Sequence, residues 1–290
     1  MKNEKKRSGR KKTLWVDAWR RLRKNKAAII GIIWLAILIL SAIFAPLLSP
    51  YDPAEQNLRG AYIRPCAEHL FGTDNLGRDI FTRILYGGRI SLVLGIVCVA
   101  ISWVFAGPLG AISGFYGGKV DNVLMRLTDV FQAIPGFLLS VAIAAALGSG
   151  MFNCMIAVGI GSIAPCARLL RGAVLSIRSM EYVEAARSIR ASDSRIIFKH
   201  IIPNVLAPVI VTMTMSVAGA MLMAASLSFI GLGVQPPSPE WGAMLSAARS
   251  ELRKYPYMAI APGLLIFTTT LALNLIGDGL RDALDPRQKM

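Results

Sequence analysis

Long apolar runs separated by polar segments dominate the pattern of this chain. Six runs contain no Asp, Glu, Lys or Arg, and they occupy residues 27–48, 90–112, 130–147, 151–167, 205–234 and 257–276. A helix needs about 20 apolar residues to cross the hydrocarbon core of a bilayer. The pattern therefore predicts an all-α integral membrane protein with six transmembrane helices. A very short connection joins the third helix to the fourth, and Pro165 interrupts the fourth.

The basic residues are distributed unevenly between the two sides that these helices define. Of the 32 Lys and Arg residues, 24 lie in the two termini and in the loops 113–129 and 168–204, and 8 lie in the other loops. Cytoplasmic loops of membrane proteins carry such an excess. Both termini and the segment 181–204 are therefore expected to face the cytoplasm. This asymmetry accounts for most of the net charge of +15, so the charge does not require a nucleic-acid partner.

The segment before the first apolar run has the pattern of an interfacial helix. Its apolar stripe, with basic residues largely around it, consists of Leu14, Trp15, Ala18, Trp19 and Leu22. Such helices lie against anionic lipid, and simple anchoring by positive charge is the alternative. The first apolar run is 22 residues long and lacks a small-residue cleavage site, so we expect an uncleaved span and not a signal peptide.

Residues that carry most catalytic and ion-transport chemistry are sparse. The apolar runs hold none of the acidic or basic residues that mark proton and ion pathways. The cysteines show no CxxC spacing and are Cys66, Cys98, Cys154 and Cys166. His69 and His200 are expected on opposite sides of the membrane, so we expect no metal site, no cofactor and no enzymatic activity. The sequence also lacks G-x-x-x-x-G-K-[ST], so energy for pumping would have to come from another polypeptide.

The most informative polar segment is 181–204, EYVEAARSIRASDSRIIFKHIIPN, between two membrane-length runs. It predicts two short helices broken by a turn. The first is expected to present one shared face, formed by Tyr182, Val183, Ala186 and Ile189. The second would begin after Ser192 as its N-cap and be stopped by Pro203, and its apolar surface would consist of Ile196, Ile197, Phe198 and Ile201. Docking in the groove of a partner protein is one interpretation, and lying on the membrane surface is the other.

This segment resembles a known family. E-A-A at 184–186 and H-I-I-P-N at 200–204 are similar to the coupling loop of permease subunits in bacterial ABC importers. More narrowly, the chain resembles the second permease of the dipeptide, oligopeptide and nickel group. Three further strings carry this resemblance: FGTDNLGRDIFTRILYGGRISL at 71–92, LSFIGLGVQPPSPEWGAML at 227–245 and LIGDGLRDALDPR at 275–287. Four strings, in order and on consistent sides of the membrane, make it specific.

The resemblance implies a type I ABC importer permease fold in the bacterial inner membrane. A second, homologous permease would form a heterodimer with this chain, two cytoplasmic ATP-binding subunits would bind the coupling loops, and an extracytoplasmic solute-binding protein would deliver the solute. The implied domains are a basic tail with an interfacial helix at 1–26, a first transmembrane helix at 27–48, an extracytoplasmic segment at 49–89 and a core permease domain at 90–290, with the coupling loop at 181–204.

The resemblance also implies roles for individual residues. The ATPase-coupling surface would include Tyr182, Glu184, Ala185, Ala186, Ile189 and Arg190. His200, Pro203 and Asn204 would help to fix the loop to the membrane domain. Alternatively, Pro203 and Asn204 would only stop a helix.

One residue departs from the family pattern. Arg190 stands where glycine is expected, four residues after Ala186. Glycine suits the turn between the coupling helices because it accepts a positive φ, whereas arginine in a left-handed conformation costs on the order of 1 kcal/mol. Either the turn avoids that conformation or coupling is altered. We predict that Arg190→Gly leaves transport intact or improves it.

Two outer segments have two interpretations. Their polar and aromatic residues would contact the binding protein or shape the outer gate, and the residues concerned are Asp74, Arg78, Asp79, Pro236 and Trp241. Alternatively, Asp74 N-caps a short helix, and Arg78 and Asp79 face solvent.

The substrate is the least determined feature, because selectivity in this group is expected to lie largely in the binding protein. We expect import of di- or oligopeptides, with nickel or another small solute as the alternative. An ATP-independent carrier or channel is the alternative of a different class. The coupling loop and the uncharged apolar runs disfavour it.

Overall fold

The structure, a computed structural model, describes residues 14–284. Over that range the chain is built from helices, so the all-α class predicted from the sequence is confirmed. The helices are α1 (Leu14–Leu22), α2 (Lys26–Ile43), α3 (Ala45–Leu48), α4 (Ile80–Tyr116), α5 (Gly118–Gln132), α6 (Gly136–Leu147), α7 (Met151–Gly161), α8 (Ile163–Ile177), α9 (Glu181–Ser188), α10 (Asp193–Ile196), α11 (Ile202–Phe229), α12 (Trp241–Ala248) and α13 (Tyr257–Leu284). A π-helical turn, Ile197–Ile201, joins α10 to α11.

Six spans result when each bent helix pair counts as one. Four stretches of the described chain are by themselves long and apolar enough to cross a membrane, namely α2, α4, the stretch Asp193–Phe229 and α13. The other two spans are α5 with α6, bent by 80°, and α7 with α8, bent by 41°. The described chain therefore has four to six candidate spans, and the six predicted from the sequence correspond to the count in which each bent pair is one span.

The helices extend beyond the apolar runs from which they were predicted. Helix α4 has 37 residues, and at 1.5 Å per residue it is about 55 Å long, well beyond the roughly 30 Å of a hydrocarbon core. It therefore includes Arg83 and Arg89 near its start. Similarly, the third span begins with α5, whose Asp121 forms an ion pair with Arg171 of α8. The apolar runs are uncharged, but the ends of the spanning helices are not.

The fourth span breaks at a different residue from the one expected. The break lies at Ser162, between α7 and α8. Pro165 lies in the first turn of α8, where the N–H that proline lacks would have no partner within the helix. Pro165 therefore does not interrupt a helix but stands near the beginning of one.

Glycines of α4 bring this helix close to α8. A Cβ at Gly110 would lie 2.5 Å from the carbonyl oxygen of Ala167, and one at Gly114 would lie 2.7 Å from Cβ of Val174. The two backbones can approach this closely only because both positions lack a side chain. These two glycines are therefore helix-packing residues.

The N-terminal helix packs against the opposite end of the chain. Ala18 and Leu22 of α1 are buried in a small cluster with Ala28, Leu280 and Ala283, while Trp19 remains half exposed. The helix expected at the membrane surface thus exists, and part of its apolar stripe contacts α13. Residues 1–13 of the expected basic tail, and 285–290 with the end of the C-terminal string, lie outside the described residues.

Candidate functional site

The loop between α8 and α11 is anchored by a buried apolar face. Val183 is fully buried and Ala186 nearly so, and both pack in a cluster with Ile196, Phe115 of α4 and Val174 of α8. Arg187 adds a cation–π contact, with its guanidinium carbon 5.2 Å from the centre of the Phe115 ring. The coupling helices therefore rest directly on the ends of two spans.

The opposite face of this loop is exposed. Tyr182 is 37% exposed and Ile189 is 79% exposed, and Glu184 and Ala185 are also exposed. The prediction that Tyr182 and Ile189 share one face with Val183 and Ala186 is wrong in this respect. Burial is centred between Val183 and Ala186, which leaves Tyr182 at the edge of that face, and α9 ends at Ser188, so Ile189 lies beyond the helix.

Arg190 closes α9 in a left-handed conformation. Its φ is +55°, its N–H donates to the carbonyl of Arg187 (2.8 Å), and the N–H of Ala191 donates to the carbonyl of Ala186 (3.1 Å). These two bonds form the Schellman motif, in which the left-handed position is usually glycine. The alternative in which the turn avoids this conformation is therefore wrong.

The second half of the loop differs from the expected helix and stop. Ser192 precedes α10, but its side chain makes no capping bond. The helix does not end at Pro203, because Asp193–Phe229 is one continuous stretch. Pro203 is the second residue of α11 and follows directly after the π-helical turn, and the helix continues through it.

Asn204 and His200 are linked at the start of the fifth span. Nδ2 of Asn204 donates to the carbonyl of His200 (2.6 Å). The hydrogen-bond pattern changes at this junction, because a π-helical turn has i→i+5 bonds whereas an α-helix has i→i+4 bonds. Asn204 thus stabilises the transition from the coupling loop into α11, and Ile201 in the same turn is fully buried.

The ends of the spans that are expected to face outward are covered by residues 49–79 and 235–248, which we call the outer cap. The carboxylate of Asp74 accepts bonds from the amide of Arg78 (3.0 Å) and from its Nε (2.7 Å). Nη1 of Arg83 donates to the carbonyls of Pro53 (2.6 Å) and Pro237 (3.3 Å). These bonds tie three segments that are far apart in sequence to the start of α4.

Asp79 is the N-cap of α4. Its Oδ2 accepts bonds from the amide (2.7 Å) and the hydroxyl (2.6 Å) of Thr82, and its Oδ1 lies 2.9 Å from Nδ1 of His69. The alternative prediction, with Asp74 as the cap and with Arg78 and Asp79 in solvent, is wrong. All three side chains are buried, and Arg78 is only 3% exposed, because their partners lie within the cap.

Trp241 is the largest fully buried side chain of the outer cap. It is 1% exposed, and its Nε1 donates to the carbonyl of Ile84 (3.1 Å). Pro236, in contrast, is exposed. Of the five residues expected to meet a binding protein or to shape a gate, only Pro236 thus has an exposed side chain in this conformation.

Glu240 is a functional candidate that the sequence analysis missed. Its carboxylate accepts bonds from the amides of Gly242 and Ala243 (both 2.8 Å) and from the hydroxyl of Ser91 (3.3 Å). It thereby caps α12 and joins it to α4. Burial raises the pKa of Glu240, and the hydrogen bonds oppose that increase. The sequence signal was weak, since the preferred N-caps are Ser, Thr, Asp and Asn, and only the favourable interaction of a negative charge with a helix N-terminus pointed to Glu240.

The described residues contain no group of three or more His, Cys, Asp or Glu side chains that could hold a metal ion. Within the same range Cys66 is exposed, and Cys98, Cys154 and Cys166 are buried free thiols.

Comparisons with known proteins identify the family. Residues 106–290 match the model of the binding-protein-dependent transport system inner membrane component, and residues 13–65 match the N-terminal transmembrane domain of oligopeptide transport permease C. The dipeptide transport system permease of Alkalihalophilus pseudofirmus is 46% identical over 275 residues, which are 95% of this chain and 90% of that protein. The glutathione transport system permease of Pectobacterium atrosepticum is 46% identical over 280 residues, 96% of this chain and 93% of that protein.

A solved structure shares the fold. The inward-facing methionine ABC transporter MetNI matches with a TM-score of 0.57 and 18% identity, over 70% of this chain and 96% of the matched chain. At this identity the match concerns the fold alone, and it confirms the expected type I importer architecture. The apolar spans and the family together make this an inner-membrane protein that is not an enzyme. The chain belongs to the binding-protein-dependent transport inner-membrane component family, the permease subunits of ABC importers.

Proposed function

We propose that this chain, paired with a second homologous permease, forms the membrane pathway of an importer for di- or oligopeptides. The observation that supports it most is the 46% identity, over nearly the whole chain, to permeases named for dipeptide and glutathione transport. Both names refer to short peptides. They favour a peptide over the alternatives of nickel or another small solute, and the proposal includes no cofactor.

Two cytoplasmic ATPase subunits would drive this importer, one of them through the loop 181–204. The exposed side of α9, with Tyr182, Glu184 and Ala185, and the exposed Ile189 that follows the helix are free to contact a partner. The buried side holds Ala186 and Val183 against α4 and α8. A displacement of the loop would therefore be transmitted to these spans, with Arg190 closing the turn.

The same loop connects rigidly to the fifth span. His200, Pro203 and Asn204 lie where the π-helical turn becomes α11, and the Asn204–His200 bond secures that junction. These residues would fix the coupling loop to the membrane domain without contacting the ATPase themselves.

In this proposal the chain crosses the inner membrane six times with both termini in the cytoplasm, since most Lys and Arg residues lie on that side. The basic tail 1–26 would lie against membrane lipid, 27–48 would be the first span, and 49–89 would be outside the cytoplasm. The core permease domain would be 90–290.

The outer cap would receive the solute-binding protein. Pro236 is exposed and available for contact. Asp74, Arg78, Asp79 and Trp241 are buried and would shape the outer gate by holding the cap on α4.

Purification of the complex in mild detergent tests these assignments. Mass spectrometry should identify a second permease and P-loop ATPases with this chain. In proteoliposomes, the complex with its binding protein should import a labelled dipeptide only with ATP, and Ni²⁺ should not compete. Uptake without ATP by this chain alone would instead establish a carrier. ATP-driven uptake of Ni²⁺ without peptide uptake would overturn the substrate while retaining the importer.

A further inference from the structure

A groove between α4, the broken pair α7–α8 and α11 differs from the other grooves of the described chain in its chemistry. It contains several hydroxyl groups in an otherwise apolar wall, and the residues that matter here are Ser102, Trp103, Ser162, Cys166, Thr212 and Ser216. None of its described lining residues is Asp, Glu, Lys or Arg. The grooves beside α2 and beside the π-helical turn are more uniformly apolar.

The hydroxyl groups are arranged as acceptors. Ser102, which donates to the carbonyl of Gly159 (3.2 Å), is itself buried. The accessible hydroxyls include that of Ser162, which donates to the carbonyl of Val158 (3.0 Å), and that of Thr212, which donates to the carbonyl of Pro208 (3.0 Å). Each hydroxyl has one proton, so its lone pairs remain for a ligand. A row of such acceptors suits the N–H groups of a peptide and its ammonium terminus.

A hydrogen-bond donor belongs to Trp103, which lines both this groove and the apolar groove beside the π-helical turn. Nε1 of Trp103 is buried and has no hydrogen-bond partner within the described chain. A buried N–H without a partner is unfavourable and is usually satisfied by a ligand or by water. In this groove it would serve a peptide carbonyl or carboxylate.

The backbone around the groove is irregular, which widens it. The α7–α8 pair bends by 41° at Ser162, and a Cβ at Gly219 of α11 would meet no atom within 4 Å. Broken helices at membrane depth are tolerated where they line a cavity.

We propose that this groove is the part of the translocation pathway contributed by this chain, and that it conducts peptides through weak, uncharged hydrogen bonds. The inference deepens the proposed function and rests on it, since the facing permease would close the groove into a channel. Neutral acceptors and one donor bind a zwitterionic peptide at both ends without retaining it, which a conducting pathway requires.

Two threonines of α11 provide a matched test. Thr212 lies in this groove, whereas Thr214 lies on another face, beside α2 and Leu35. Both hydroxyls donate to the carbonyl four residues earlier, at 3.0 Å. Cysteine at each position, in the complete complex with Cys66→Ser, is treated with a water-soluble cationic methanethiosulfonate. The reagent reacts with solvated thiolate, so we expect labelling of Thr212→Cys to be roughly tenfold faster or more than that of Thr214→Cys.

The assignment would be supported if ATP and vanadate change the labelling rate of Thr212→Cys but not that of Thr214→Cys. It would also be supported if the labelled Thr212→Cys complex loses uptake. Equal labelling rates, or faster labelling of Thr214→Cys, would overturn it. This readout does not depend on the substrate. If the complex imports a solute other than peptide, we still expect the difference in labelling rate between the two variants. If the complex imports peptide but Thr212→Cys does not react, the assignment of this groove to the pathway is refuted and the proposed function is retained.

Discussion

The amide of Ala191 donates to the carbonyl of Ala186 across 3.1 Å, and this bond encloses Arg190 in the turn that ends α9. Ala186 is buried among the ends of α4 and α8, whereas Ile189, in the same turn, projects into solvent. One Schellman turn thus sets both the anchored and the exposed side of the coupling loop. The conformation of Arg190 consequently affects how the loop is presented to a partner.

Arg190→Gly should stabilise this turn. Glycine accepts φ of +55° without the Cβ penalty, and its greater freedom in the unfolded chain offsets part of the gain, so we expect a net stabilisation of up to about 1 kcal/mol. ATP-dependent uptake should be unchanged or higher. The measurements are the denaturation midpoint of the purified complex and its initial rate of uptake.

Arg190→Ala is the matched control, because it removes the charge and retains the Cβ. It should show no gain in stability. A large loss of ATP-coupled uptake in Arg190→Gly would contradict the idea that the turn needs only a residue that accepts the left-handed conformation. An equal loss in both variants would show that uptake requires the guanidinium group of Arg190.

The two faces of α9 should respond differently to truncation. Val183→Ala removes buried methyl groups and should destabilise the protein by about 2 kcal/mol. Ile189→Ala, at a position 79% exposed, should change stability by less than about 0.5 kcal/mol but weaken retention of the ATPase subunits. Denaturation midpoints and the yield of co-purified ATPase separate the two effects. Strong ATPase retention in Ile189→Ala would exclude this residue from the contact.

The spans and the two short helices of the segment 181–204 could be predicted from the sequence because their signals are local. Uncharged runs of membrane length predict helices wherever they occur, and the turn at Arg190 follows from its place relative to Ala186. Which face of α9 is buried could not be predicted from the sequence of the segment itself. It depends on the apolar surface formed by Phe115 and Val174, which lie in two other helices.

The contacts of the outer cap also could not be predicted from the local sequence. One interpretation places Arg78 in solvent, but it is buried. Arg83 donates to the carbonyls of Pro53 and Pro237, which are 30 and 154 residues away. The pattern of side chains along the sequence does not show which backbone carbonyls will accept a hydrogen bond from a distant arginine. Asp79 was within reach of capping rules, and Glu240 was so only through its charge, since each immediately precedes a helix.

Two glycines of α4 should differ sharply in their tolerance of alanine. A Cβ at Gly110 would lie 2.5 Å from the carbonyl of Ala167, whereas one at Gly107 would meet no atom within 4 Å. Gly110→Ala should therefore force α8 away and cost about 1–3 kcal/mol. Gly107→Ala should be neutral or stabilise the helix by up to about 1 kcal/mol. Denaturation midpoints test this, and equal values for the two variants would show that α4 and α8 do not pack as closely as described.

Glu240 should make the stability of the outer cap depend on pH. Its pKa in the folded protein is raised above the usual 4.5 by burial. The stability that Glu240 contributes to the folded protein is therefore fully present below pH 4.5, and it is lost as the pH rises through the raised pKa. Glu240→Gln resembles the protonated acid and should remove this dependence, with little change at low pH. Glu240→Ala loses the cap of α12 and the bond to Ser91, and should cost about 1–3 kcal/mol at every pH. Denaturation midpoints of the three proteins, measured across pH, distinguish these outcomes. If the stability of the wild type rises with pH relative to that of Glu240→Gln, the hydrogen bonds from Gly242 and Ala243 lower the pKa of Glu240 by more than burial raises it.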